Sequence, residues 1–521
     1  MFWQHPVRNT FYIFMFTQTG LVASRDTTAQ VDSISGAAQF ASAPNPTMPF
    51  KRIRIATDQD INRSYPVLAA IIENPELALS VEELVVDALV WPRRRYCSFG
   101  EPEEVQPMSV NLTTHARLQE YVRSISLDKA ITQQMLDALA WKIAGGAAPT
   151  TESGPGPDTF ASTVTVLLLS LCKNISVFHA YFEWHRIIAE FLLKNNYNLL
   201  PQPALQQLKH VRIATVKPED EREYDRAELL EHFRFFGRLP AMEFLEEVGV
   251  MEYQMEREIA PPGTSNIRKL HLIHVDIGST TVAFMIRSPK NLEEFKLSLG
   301  GLSCHDGASA AVVPKTLGKA LLEHKAALKS LDMDLESALS FIPSDYEKED
   351  ARDPDEYDED EDEDEDEEHY AIDSYYRLDE AIGNQRPLWT EHLPNTREYG
   401  YTIGSLHDFE SMAHLAITIS ALLGPSSHPA PFRLVDALPP SLTSLHLYGY
   451  TRGHSGVYDE HVDELLKQRA ERFPLLVELR GVEEPIILGV KTWDRGGSEK
   501  EMAEVRESFT LDLAELDWEE V

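Results

Sequence analysis

Cys304, His305 and Asp306 are of the residue types that form a nucleophilic catalytic triad. In a triad the base must reach the nucleophile, and a third group must orient the base. Adjacent side chains point in different directions, so these three cannot line up, and we expect a loop. The acidic run at 345–368 has carboxylates that could gather calcium, but it lacks the glycine turn and alternating spacing of a structured site. We therefore predict no catalytic residue, metal site or cofactor from these residues.

The stretch 274–282 reads His-Val-Asp-Ile-Gly-Ser-Thr-Thr-Val and resembles the first phosphate loop of the actin-like and sugar-kinase ATPases. The resemblance implies that Asp276 would hold a metal through water and that the amides of residues 278–280 would cradle phosphate. That fold needs its first loop near the start of a domain and an adenosine-binding segment after its second loop. This sequence, whose residues 494–497 resemble the second loop, has a different order. An ATP-dependent enzyme using the Asp276 loop is therefore the alternative prediction, and a loop after a repeat strand is the leading one.

The chain of 521 residues carries a formal charge of −36, with 43% hydrophobic and 25% charged residues. This composition is ordinary for a globular protein that is long enough to bury a large core. The acidic run at 345–368 holds eighteen acidic residues against two basic ones, which leaves about −20 for the rest. An acidic surface repels phosphate backbones and anionic membranes. We therefore predict no direct nucleic-acid or membrane binding and favour a protein partner.

An apolar run at residues 11–16 is interrupted by polar residues at 17–19. A secretory signal needs a longer continuous apolar core, and a membrane span needs roughly 20 apolar residues. We therefore expect an intracellular protein of the cytoplasm or nucleus, with a signal peptide as the alternative.

Cys97, Cys172 and Cys304 are too few and too scattered for a disulfide framework or a zinc site, so we predict buried, reduced thiols.

One pattern returns along the chain: an apolar residue, two variable ones, an apolar residue, one variable residue and another apolar residue. Nine full copies and one partial copy occur. They are Val81/Leu84/Val86, Ile175/Phe178/Ala180, Leu208/Val211/Ile213, Leu239/Met242/Phe244, Ile267/Leu270/Leu272, Leu292/Phe295/Leu297, Leu328/Leu331/Met333, Met412/Leu415/Ile417, Leu442/Leu445/Leu447 and the partial Leu476/Leu479. The last two apolar positions of a copy lie two residues apart, so they share one face of a short strand and point into a core.

From Val211 to Leu331, the middle positions of successive copies lie 25 to 36 residues apart, which is enough for a helix after each strand. Apolar residues with helical spacing recur between the copies, as at Val313, Leu317 and Leu321. Alternating strands and helices favour a parallel sheet. We predict an α/β fold, an irregular leucine-rich-repeat solenoid with a parallel sheet on its concave face and helices on its convex face.

The C-terminal copies resemble a known family. Residues 406–417, 422–425 and 438–450, the last reading LPPSLTSLHLYGY, are similar to the C-terminal repeats of the fungal F-box/leucine-rich-repeat proteins. Residues 73–84 are similar to the first repeat of that family. The resemblance covers roughly residues 63–482 and brings no catalytic motif. It implies a noncatalytic interaction scaffold that serves as a substrate receptor and binds the adaptor of a cullin-type ubiquitin ligase through an F-box.

An F-box opens with Leu-Pro and an acidic residue ahead of an apolar helix, and residues 1–65 contain no such pattern. The box has been lost, has diverged or is encoded outside this sequence. Recruitment to a ubiquitin-ligase adaptor is therefore a hypothesis, whereas the predicted binding surface does not depend on the box.

We predict three parts along the chain. They are a disordered leader without a clear F-box at 1–62, the solenoid at 63–490 and an acidic C-terminal tail at 491–521. The stretch 91–158 is predicted to be a degenerate repeat with a long insertion. The acidic run within 345–370 is too rich in carboxylates to bury a core, and we expect a disordered loop there.

In a solenoid, the strand residues between the core positions face outward on the concave surface, where binding concentrates. The register predicts a stripe of charged, aromatic and histidine residues on that surface. Its members are Val177, His179, Tyr181, His210, Arg212, Lys269, His271, Ile273, Glu294, Lys296, Asp332, Ser444, His446 and Tyr448. This composition suits a protein or peptide ligand. For any single residue, a merely solvated strand face is the alternative.

Overall fold

The computed structural model describes residues 49–87, 110–145, 156–181, 185–214, 225–252, 261–300, 312–336, 339, 401–486 and 516–521. All of these belong to one compact unit, Pro44–Val521, and the other unit, Met1–Ala43, lies outside the described residues.

Fourteen strands occur in the described residues. They are β1 Phe50–Ile55, β2 Glu83–Asp87, β3 Val177–Tyr181, β4 His210–Ala214, β5 Asp225–Ala227, β6 Phe244–Val248, β7 Val250–Glu252, β8 Lys269–Val275, β9 Glu294–Leu299, β10 Ser330–Asp334, β11 His414–Thr418, β12 Ser444–Tyr448, β13 Glu478–Arg480 and β14 Glu519–Glu520. Twelve of them form one sheet, in which the strands from β1 to β13 lie side by side in chain order. Their pairings are parallel, β14 adds to β1 antiparallel, and β5 and β7 form a separate parallel pair.

Helices lie between most of these strands. They are α1 Asp58–Glu73, α2 Leu112–Ile125, α3 Lys129–Ile143, α4 Pro157–Leu171, α5 Arg186–Asn196, α6 Leu229–Phe236, α7 Ser279–Arg287, α8 Pro314–Leu321, α9 Ile419–Leu423, α10 Leu434–Ala437 and α11 Gly456–Arg472. Short 3-10 turns at Pro75–Ser80 and Leu322–His324 replace or extend a helix. Neighbouring helices pack on each other from α4 to α8. The prediction of an α/β fold with a parallel sheet is therefore confirmed.

The in-register strands stack their buried side chains into two rows, which we call the core ladders. The first ladder is Ile53, Leu84, Phe178, Val211, Leu245, Leu270, Phe295, Leu331, Leu415, Leu445 and Leu479; the second is Ile55, Val86, Ala180, Ile213, Glu247, Leu272, Leu297, Met333, Ile417 and Leu447. The apolar ladder residues join the buried helix side chains in one hydrophobic core. Burial of this continuous apolar surface is the main stabilising term of the fold.

The predicted repeat at Leu239, Met242 and Phe244 is wrong in register. Leu245 and Glu247 occupy the two ladder positions of β6, so the true copy is Met242/Leu245/Glu247. A carboxylate at the third position breaks the apolar pattern, while Phe244 offers a false match one residue away from Leu245. Since side chains alternate along a strand, this shift moves Phe244 to the opposite face of the sheet.

The first strand was missed by the repeat pattern. Phe50, Ile53 and Ile55 form a further copy, and all three are buried, within the stretch that we had assigned to a leader ending at residue 62. The predicted tail at 491–521 likewise contributes β14 to the sheet. Helices α2 and α3 lie in the predicted insertion 91–158, and α4 begins at its end. The acidic run at 345–370 lies outside the described residues.

Candidate functional site

The face of the sheet opposite the core ladders is here called the second face. The positions predicted for the binding stripe alternate with the ladder positions, so the backbone places all of them on this face. They are Val177, His179, Tyr181, His210, Arg212, Lys269, His271, Ile273, Glu294, Lys296, Asp332, Ser444, His446 and Tyr448. The stripe therefore forms a set of cross-strand neighbours, which is the arrangement in which side chains on a sheet interact.

Phe244 lies at the centre of an aromatic cluster on the second face. Its ring stacks on His210, with centroids 4.3 Å apart and planes 13° apart, and meets His271 edge-on at 4.6 Å. His179 approaches His210 from the next strand, with ring centroids 6.2 Å apart. The four rings come from β3, β4, β6 and β8, so the regular register alone brings them together. Aromatic side chains of this kind bury large contact areas in protein interfaces.

Carboxylates from neighbouring strands hold the imidazoles of this cluster. His179 Nε2 lies 2.9 Å from Glu83 Oε1, and the same carboxylate receives Arg52 Nε at 2.7 Å. On the other side of the cluster, His271 Nε2 lies 2.8 Å from Glu294 Oε1. Burial raises the pKa of Glu83, but its hydrogen bonds with His179 and Arg52 outweigh this, and the pKa lies below its ordinary value. Glu83 is therefore an anion at neutral pH.

His210 is an uncharged imidazole at neutral pH. Burial lowers its pKa to about 4, and the neighbouring charges of His179, Arg212 and His271 act in the same direction. Arg212 itself pairs with Glu246, with Nε and Oε2 3.2 Å apart. At neutral pH the cluster thus presents an uncharged imidazole stacked on a phenyl ring, bordered by paired charges. Such a surface combines an apolar centre with a polar border, as protein interfaces do.

The later strands carry a second group of polar contacts. The Tyr448 hydroxyl on β12 donates to Asp332 Oδ1 on β10 over 2.9 Å. On β11, Ala416 is the register neighbour of Asp332 and Thr418 is that of Tyr448, so the contact runs diagonally across this strand. Lys296 Nζ lies 3.6 Å from the other Asp332 oxygen, and His446 Nε2 lies 3.3 Å from Glu478 Oε1. The stripe thus continues to the last strands, with charges that are largely balanced within it.

Several second-face residues were missed by the repeat pattern. Phe244 was assigned to the core because the β6 copy was shifted. Arg52 and Glu83 lie on strands whose outward positions we did not project, although the copy at Val81, Leu84 and Val86 was correct. If the residues between the apolar positions of every copy, including Phe50/Ile53/Ile55, had been assigned to the second face, Arg52 and Glu83 would have been predicted. Predicting Phe244 and Glu246 would have required a repeat pattern that allows a charged residue, Glu247, at one ladder position.

The carboxylate of Glu252 contacts the loop that follows Asp276. Gly278 precedes α7, and its N–H donates to Glu252 Oε2 over 2.8 Å, while the Thr281 hydroxyl donates to the other oxygen of the same carboxylate. The Asp276 backbone pairs with Val250 and Glu252 instead of leading into an open loop. An anion of the chain itself therefore lies where a phosphate would approach the N-terminus of α7.

Other predicted chemistry falls partly outside the described residues. Cys304, His305 and Asp306 lie outside the described residues, whereas Cys172 is a fully buried thiol whose pKa burial raises to about 12. Within the described ranges, no group of three or more histidine, cysteine or carboxylate side chains is placed to hold a metal ion. None of the helices in those ranges is long and apolar enough to cross a membrane.

No protein-family model matches the chain, and no curated protein matches its sequence.

Proposed function

We propose that this chain is an irregular leucine-rich-repeat solenoid of the F-box/leucine-rich-repeat kind, which catalyses nothing and binds a protein partner on the second face. The parallel strands in chain order and the continuous core ladders support the repeat architecture, in which each unit buries its apolar face against its neighbours. The observation that carries the binding function is the aromatic cluster of His179, His210, Phe244 and His271 on the second face.

The second face has the composition of a recognition surface. The formal charge of the chain is −36, yet the stripe alternates cations with anions and surrounds an aromatic centre. Interfaces favour aromatic side chains and arginine over an unbroken field of one charge sign. We infer an intracellular partner, protein or peptide, whose surface places an apolar side chain near Phe244 and complementary charges over the paired residues around it.

Affinity purification from cells with a matched pair of charge reversals tests this proposal. Lys296→Glu reverses a half-buried charge on the second face, and Lys129→Glu makes the same change on an exposed position of α3. Proteins that the wild type and Lys129→Glu retain, but that Lys296→Glu and Phe244→Ala lose, are partners of the second face. Retention of every recovered protein by all four chains would refute binding at this face.

The same experiment addresses the ubiquitin-ligase hypothesis. A substrate receptor should recover a cullin adaptor in addition to its substrate, and adaptor binding should survive Lys296→Glu because the adaptor docks elsewhere. Recovery of second-face partners without any cullin adaptor would leave the interaction scaffold and remove the ligase role.

A further inference from the structure

Residues 516–521, here called the acidic segment, lie against the first edge of the sheet. Glu520 and Glu519 pair antiparallel with Phe50 and Arg52 of β1, and the Val521 N–H donates to the Pro49 carbonyl over 3.0 Å. The register is irregular between Phe50 and Arg52. β1 is six residues long, so this pairing engages one end of a longer strand. Strand addition to a sheet edge is a common mode of peptide recognition.

Three basic side chains of β1 lie close to the carboxylates of the acidic segment. Lys51 Nζ and Arg52 Nη1 each lie 3.5 Å from the Glu519 carboxylate, and Arg54 Nη2 lies 3.3 Å from Asp517 Oδ1. Asp517 and Glu519 nevertheless stay 67% and 42% exposed. Exposed ion pairs of this kind contribute little each, so the charges select an acidic ligand without holding it permanently.

Trp518 is the anchor of the acidic segment. Its indole Nε1–H donates to Asp60 Oδ1 over 2.8 Å, its ring meets Phe50 edge-on with centroids 5.2 Å apart, and the Arg63 guanidinium lies 4.9 Å above it. Asp60 is 1% exposed and also receives Arg54 Nε at 2.9 Å and the Thr57 amide at 3.0 Å. The indole thus contacts Phe50 of β1 and both Asp60 and Arg63 near the N-terminus of α1, a combination of ring contacts and an N–H donor that tryptophan provides.

We propose that the β1 edge and the first turn of α1 form a peptide-binding site for an extended acidic segment that contains a tryptophan, and that residues 516–521 occupy this site in cis. The short strand pairing, the half-buried indole and the exposed carboxylates describe a ligand that can exchange with the same chemistry from another molecule. Tethering to the chain gives the acidic segment a high effective concentration, so an external peptide binds well only when the cis contact is weakened. This site lies on the sheet edge and does not rest on the proposed function.

Two variants of the full chain open the site by independent means. Trp518→Ala removes the anchor, and Glu519→Lys places a cation against Lys51 and Arg52 while it keeps the tryptophan. Glu520→Lys is the matched control, because it makes the same charge change on an exposed side chain for which the described residues show no ion pair. The probe is a fluorescein-labelled peptide of sequence Leu-Asp-Trp-Glu-Glu-Val, and the readout is fluorescence anisotropy. Thermal melting establishes that each variant is folded.

We expect the peptide to bind Trp518→Ala and Glu519→Lys at least about tenfold more tightly than the wild type or Glu520→Lys. A peptide with alanine in place of tryptophan should not bind, and Arg63→Gln in the Glu519→Lys chain should weaken binding. Two results would overturn the proposal: a folded Glu519→Lys chain that binds no peptide at millimolar concentration, or equal binding of the peptides with and without tryptophan. Addition of Lys296→Glu should leave peptide binding unchanged, so failure here is distinct from failure of the second-face proposal.

Discussion

Glu247 is the charged member of an otherwise apolar core ladder. It is fully buried on β6, and its Oε1 lies 2.8 Å from Nδ1 of His232, which is equally buried on α6. A buried carboxylate without a hydrogen-bonding partner is costly, so the position of His232 is what makes Glu247 tolerable in the core. The pair links the sheet to the helix layer by a directional contact, in contrast to the nondirectional apolar packing of the neighbouring strands.

The Glu247–His232 pair predicts a non-additive mutational cycle. Glu247→Leu should lower the free energy of unfolding by about 3 kcal/mol, because it leaves the buried imidazole without its carboxylate. The double variant Glu247→Leu/His232→Leu should recover much of that loss, since neither polar group then remains. Urea denaturation of the two single variants and the double variant measures this coupling. Additive losses in the double variant would contradict the importance of the pair.

At the scale of the element, a strand of this sheet works by alternation. In β12, Leu445 and Leu447 point into the core ladders, whereas His446 between them points to the second face and contacts Glu478. The same residue spacing therefore separates core positions from second-face positions within five residues. A register error of one residue exchanges these roles, as the misassigned Phe244 illustrates.

Leu445→Asn and His446→Asn form a matched test of this alternation. Leu445→Asn places an amide in a fully buried ladder position and should cost about 3–4 kcal/mol of unfolding free energy. His446→Asn changes a partly exposed side chain and should cost less than about 1 kcal/mol. Chemical denaturation with far-ultraviolet circular dichroism reports both. Equal destabilisation by the two substitutions would show that the β12 register is wrong.

At the scale of the whole molecule, the half-buried His210 and the buried His274 connect folding to pH. Burial lowers the pKa of His210 to about 4 on the second face, and burial together with Lys296 lowers that of His274 to about 4. Both groups therefore bind fewer protons in the folded chain than in the unfolded chain, where the ordinary histidine pKa is about 6.5. Their stabilising contribution is present above pH 6.5 and is lost as the pH falls from about 6.5 towards about 4.

We expect the free energy of unfolding to fall over this interval by on the order of 1–2 kcal/mol from the two histidines together, after screening by solvent. His210→Asn should make the dependence on pH shallower, because asparagine takes up no proton. The matched variant His446→Asn removes a second-face imidazole on β12, beside Glu478 and outside the aromatic cluster, and serves as the control. Urea midpoints between pH 7 and pH 4.5 test the pair. An unchanged slope in His210→Asn would contradict the role of this residue.

Much of the fold was predictable because a repeated apolar spacing depends on side chains that all meet the same physical demand. Leu270 and Leu272, or Leu331 and Met333, must leave water together, so their spacing records the strand and its buried face. The burial of Glu247 was not predictable in this way, because it depends on His232, 15 residues earlier, and no periodic pattern indicates that contact. The two-residue strand β14 is too short for any periodicity.

The sequence by itself determined the alternation of strands and helices, the parallel sheet and most positions of the second face, because these follow from spacing along the chain. The tertiary structure decided which rings meet around Phe244, since four strands contribute them, and it placed Glu252 on the loop after Asp276. It also decided the contact of Trp518 with Asp60, which lies 458 residues away in the chain. Contacts of this kind depend on distances in space, and local spacing carries no record of them.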